Sequence, residues 1–87
     1  MSFEIKLSKQ VQKFFEKQDA KLCQRLIVIF EKLSQNPKDT TLDIKPIKGE
    51  ERHYRLRVGK FRFLYEMFED EILIYIYKAD SRGDVYK

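Results

Sequence analysis

Apolar and polar residues alternate near the start of the chain, where Phe3, Ile5 and Leu7 are interleaved with Glu4 and Lys6. A period of two predicts a half-buried strand. Ser8 follows as an N-cap candidate, a position that favours a short side-chain oxygen. Val11, Phe14 and Phe15 then recur at helical spacing. Asp19 caps a second helix, whose apolar stripe is Leu22, Leu26, Ile29, Phe30 and Leu33. That helix must stop near Gln35 and Asn36, because Pro37 disfavours helical geometry in the residue before it. The two helices pack together, and a hairpin is one way to do so.

From Leu42 the period returns to two, loosely at first through Leu42, Ile44 and Ile47, with Pro46 indicating an edge strand or a strand end. It becomes clear from Tyr54, where Leu56 and Val58 alternate with Arg55 and Arg57. After Gly59-Lys60, the apolar series Phe61, Phe63, Tyr65 and Met67 alternates with Arg62, Leu64 and Glu66. A two-residue turn with Gly59 first pairs Val58 with Phe61, Arg57 with Arg62, Leu56 with Phe63 and Tyr54 with Tyr65. Ile72, Ile74 and Ile76 predict a further strand. With Glu69-Asp70 as its turn, Met67 meets Ile72, Tyr65 meets Ile74 and Phe63 meets Ile76. The expected fold is α+β, with an N-terminal strand and a two-helix hairpin on one face of a twisted antiparallel sheet. The open face carries Arg55, Arg57, Arg62, Leu64, Tyr75 and Tyr77.

At 87 residues the chain is expected to form a single domain over 1–87. Its 43% hydrophobic content, with only three Gly and two Pro, is that of a folded protein. The lone cysteine, Cys23, excludes an internal disulfide. No apolar run approaches the roughly 20 residues needed to span a bilayer and no signal-type N-terminus is present, so a soluble cytoplasmic protein without membrane partners is expected.

Charge sharpens the picture. Residues 43–62 hold seven Lys or Arg against three acids, and elsewhere eleven basic residues are matched by eleven acidic ones. The whole excess of +4 therefore lies in one segment. That distribution fits a polyanion site or a solvated basic loop. Like charges opposite one another destabilise a sheet by roughly 0.2–1 kcal/mol. The hairpin opposes Arg57 and Arg62 regardless, and Glu66 lies two steps past Leu64, so the compensating anion is expected from outside. Guanidinium groups clasp phosphate through paired hydrogen bonds. The competing reading is that the arginine stems merely cover an exposed sheet face.

Other chemistries fail on inventory. One His and one Cys do not assemble the usual zinc sites, and no catalytic triad or glycine-rich phosphate loop is present, so no metal or cofactor is implied. His53 reads as a surface loop residue, and Glu50 and Glu51 as either a carboxylate base near the arginines or a solvated loop. The terminal segment Ser81–Lys87 brings Arg82 and Tyr86 toward the end of the sheet where Arg62 sits. Tyr86 can stack on a base or exchange protons there, or Val85 and Tyr86 can simply pin the chain end.

The run IKGEERHYRLRVGKFRFLYEM, followed by an apolar strand and the closing KADSRGDVYK, resembles the RelE/ParE toxin superfamily. The order of elements matches over nearly the whole chain. The resemblance implies a RelE-like toxin of a type II toxin-antitoxin system. Such a toxin is a metal-independent endoribonuclease that cuts messenger RNA in the ribosomal A site, with a RelB-like antitoxin, the 70S ribosome and mRNA as partners. By motif position Arg55 and Arg57 take the two basic strand positions, Arg62 the arginine of the next strand, and Arg82 and Tyr86 the C-terminal positions; Arg57, Arg62, Arg82 and Tyr86 are expected to act in catalysis, with Arg55, Lys48 and Lys60 as RNA-phosphate contacts. Ser81 stands where many relatives carry a histidine, so no imidazole acid is supplied from that position. The alternatives are a ParE-like toxin that binds DNA gyrase and a member that has lost catalysis and only binds a partner.

Overall fold

Ser8 ends one element and starts the next in the computed structural model, which describes residues 2–81. Strand β1 (Glu4–Leu7) runs into helix α1 (Lys9–Glu16), and the Ser8 hydroxyl accepts from the Val11 amide at 3.2 Å. The same hydroxyl donates to the Tyr77 carbonyl at 2.9 Å, so one side chain caps the helix and holds a distant strand. Ser8→Ala is expected to cost about 1–2 kcal/mol, read as a lower urea midpoint at unchanged slope. Asp19 caps helix α2 (Ala20–Gln35) through the Leu22 amide at 2.8 Å, and α2 ends before Pro37 as the sequence requires.

Strands β2 (Asp43–Pro46), β3 (His53–Val58), β4 (Phe61–Phe68) and β5 (Leu73–Ser81) complete a sheet of order β1-β5-β4-β3-β2. Pro46 does lie on an edge strand. The hairpin register is the expected one, with Val58 on Phe61, Arg57 on Arg62, Leu56 on Phe63 and Tyr54 on Tyr65. Gly59 has φ +59 while Lys60 keeps a negative φ, the signature of the turn with glycine first. The N-terminal strand is a member of the sheet, parallel to β5 at the opposite edge, so the sheet is mixed.

The register of β5 differs from expectation. Ile72 has φ 52 and belongs to a four-residue turn, so Met67 meets Ile74 and Tyr65 meets Ile76. A bulge then inserts one residue, and Leu64 faces Lys78, Phe63 faces Ala79 and Arg62 faces Asp80. A slip of two leaves every side chain on its face, which is why the apolar ladder survives. The extra residue changes parity, and from there on Ala79 is buried while Lys78 and Asp80 face outward. Backbone groups at the bulge are captured by α1, where the Gln10 amide donates to the Ala79 carbonyl at 3.0 Å and accepts from its N–H at 2.9 Å.

The helices cover one face. Leu26, Phe30 and Leu33 of α2 and Val11 of α1 are buried with Leu56, Phe63, Tyr65, Ile74 and Ile76 of the sheet. Phe14 and Phe30 both meet Phe63 edge-on, at ring separations of 5.6 and 5.2 Å, tying both helices to β4.

Candidate nucleic-acid interface

The open face is built from rows of residues that face one another across neighbouring strands. One row runs Asp43, Arg57, Arg62, Asp80 from β2 to β5. The next runs Lys45, Arg55, Leu64, Lys78. Two further contacts run between the rows. Arg55 Nη2 donates to Asp43 Oδ1 at 3.0 Å, and Lys78 Nζ lies 3.5 Å from Asp80 Oδ2.

This corrects the expectation that the arginine pair lacks acid neighbours. Arg57 and Arg62 are opposed, but a carboxylate faces each from the outer side. Asp80 reaches that position only through the bulge, and Asp43 only through the pairing of the short edge strand. Repulsion alone therefore does not call for an external anion. The count does: the two rows together hold five cations against two carboxylates.

A groove of about 410 Å³ opens here. Lys45, Arg55, Arg62 and Lys78 line it with Asp80, above Pro46, Ile47 and Leu64. Arg55 is constrained, with its side chain 20% exposed and its Nε buried without a hydrogen-bond partner among the described residues. An unmet buried donor costs about 1–3 kcal/mol.

The expected site residues divide into three groups. Arg55 and Arg62 meet in the groove, and Arg57 shares their face without lining the cavity. Lys48 and Lys60 are not among the groove's lining residues: Lys48 is in the turn after β2, and Lys60 is at the hairpin tip with its Nζ 5.5 Å from the Phe61 ring centre. Arg82 and Tyr86 lie outside the described residues. Sequence reading missed Lys45 and Lys78. Lys45 was within reach, being two residues from Asp43 on a predicted strand, whereas Lys78 depends on the bulge.

His53 also needs correcting. It begins β3 instead of lying in a loop, its side chain is 24% exposed, and its Nδ1 is 3.0 Å from the Tyr77 hydroxyl. Its Nε2 is 3.8 Å from Glu66 and 4.0 Å from Glu50.

No model of a protein family matches the chain. Among curated proteins it is similar to RelE1 of Methanocaldococcus jannaschii, assigned as a toxin, with 33% identity over 88 residues covering 100% of this chain and 98% of that one. The chain belongs to the RelE toxin family. Solved RelE structures show the same architecture. The archaeal RelE–RelB complex from Pyrococcus horikoshii OT3 superposes with a TM-score of 0.83 at 25% identity, over 97% of this chain and 99% of that one. The RelB–RelE antitoxin–toxin complex from Methanococcus jannaschii gives 0.75 at 27% identity, over 94% and 95%. A two-helix layer on a five-stranded sheet is therefore the RelE fold in this chain. No helix among the described residues is long and apolar enough to cross a membrane.

Proposed function

We propose that this RelE-family chain works as one domain that binds messenger RNA in the ribosomal A site and cleaves it without a metal. The open sheet face carries the reading: its two rows hold five cations against two carboxylates, and four of those cations line the groove, which suits a phosphodiester backbone on a RelE-family toxin. The ribose 2′-hydroxyl attacks the neighbouring phosphorus, and negative charge builds on the phosphoryl oxygens. Arg57 and Arg62, with Arg82 from the chain end, hold those oxygens through charge-assisted hydrogen bonds. Lys45, Arg55 and Lys78 bind the flanking backbone. Arginine is a poor base because it keeps its proton to a pKa of about 12.5 or above. Proton transfer therefore falls to other groups, among them Tyr86.

A RelB-like antitoxin is the proposed partner that silences the toxin, supported by the RelE–RelB complexes that share its fold. The basic groove suits an acidic antitoxin segment. Brief induction of the chain in cells, followed by assays of translation, message integrity and DNA supercoiling, tests the reading. Rapid translation arrest with cuts in the reading frame is expected. Damage to supercoiling would favour a gyrase-binding toxin instead, and harmless expression a member without activity.

A further inference from the structure

Two local irregularities converge on one pair of side chains. Arg52, at φ 67, turns the chain into β3 and presents His53, and the bulge in β5 supplies Tyr77 as its extra residue. Backbone strain of this kind and bulges both gather at functional sites, where they aim side chains. The bulge is held from behind by Ser8 on the Tyr77 carbonyl and by Gln10 on Ala79. The aim is specific, with the Tyr77 hydroxyl 3.0 Å from His53 Nδ1 and the rings edge-on at 5.6 Å.

The charges around His53 set its hydrogen-bonding pattern. Glu50 of the 47–52 segment and Glu66 of β4 face Nε2, and Arg52 contacts the same Glu66 oxygen at 3.5 Å. Carboxylates at Nε2 favour a proton there, which leaves Nδ1 to accept from Tyr77. Burial, followed by the charges of Glu50 and Glu66, pushes the Tyr77 phenol up from its ordinary range. Tyr77 thus keeps its proton near neutrality unless it can hand it to the imidazole. The pair stands beside the groove. His53 is two residues from Arg55 on the same face, a step of about 7 Å, and Tyr77 adjoins Lys78.

Building on the cleavage reading above, we propose that Tyr77 and His53 form a proton relay for the attacking ribose. Tyr77 takes the proton of the 2′-hydroxyl and passes its own to His53 Nδ1. The 2′-oxygen bonds to phosphorus and the bond from phosphorus to the 5′-oxygen breaks. The departing oxygen takes a proton from water. The products are a 2′,3′-cyclic phosphate and a 5′-hydroxyl, and His53 loses its extra proton to water. Tyr77 touches the substrate in this scheme, while His53 acts through it.

The test is single-turnover cleavage of mRNA on programmed ribosomes across a series from about pH 5 to 8. Wild type, His53→Gln and Tyr77→Phe are compared, with ribosome binding and circular dichroism measured alongside. The wild-type rate should rise with pH. Each variant should slow cleavage about a hundredfold or more with binding kept, and His53→Gln should flatten the rise. Tyr77→Phe keeps the ring and carries the test if His53→Gln does not fold. Variants that match a cleaving wild type in rate and pH profile overturn the relay and leave the cleavage reading intact. A wild type that cuts nothing overturns both.

Discussion

Replacing Arg57 and Arg62 together by alanine is expected to slow messenger cleavage about a thousandfold or more while leaving the protein folded. The two effects separate because the residues do different things for stability and for chemistry. For stability they are a like-charged pair opposed across β3 and β4, each flanked by an acid, so their loss should move unfolding by no more than about 1 kcal/mol. In the proposed chemistry they are donors to charge that develops only during attack on phosphorus, and losing one such donor typically costs about 10²–10³ in rate. Single-turnover cleavage and a urea melt on the same preparation measure both. Wild-type cleavage in the double variant would remove these arginines from the mechanism.

Phe63→Ala should have the opposite profile, losing about 3–5 kcal/mol of stability with every candidate site side chain still in place. Phe63 is fully buried at the point where both helices meet the sheet, with Phe14 and Phe30 edge-on against it and Leu56 opposite. Deleting the ring strands contacts on three elements at once, and the backbone of a central strand has little room to collapse. Neighbouring β4 residues on the open face, such as Leu64, should tolerate alanine far better. Urea unfolding of the two variants side by side provides the comparison. Equal losses would contradict the assignment of faces.

The hairpin was legible in the sequence because period, turn and glycine all agree there. Gly59 at positive φ admits one short turn, and that turn dictates every pair from Val58 and Phe61 to Tyr54 and Tyr65. The helices were legible for a similar reason, since Ser8, Asp19 and Pro37 punctuate clean apolar stripes. β5 was not. Three alternating isoleucines place Ile72 in a strand, yet the turn takes it at φ 52, a conformation β-branched residues rarely adopt. Nothing in the alternation reveals the bulge either, because the backbone groups it frees are satisfied by Ser8 and Gln10, about seventy residues away. The consequences fall on the site. Asp80 opposite Arg62, Lys78 in the groove and Tyr77 on His53 all depend on that one inserted residue. The parallel pairing of β1 with β5 was likewise beyond the pattern, since alternation marks a strand without naming its neighbour.

On the proposed reading, the basic groove makes this RelE-family chain a ribosome-dependent ribonuclease. The most direct measurement adds purified protein to ribosomes stalled on a defined message and maps the 5′ ends produced. Cuts confined to the codon in the A site, dependent on the ribosome and leaving 5′-hydroxyl ends, are expected. An intact message on ribosomes that have bound the protein would contradict that reading.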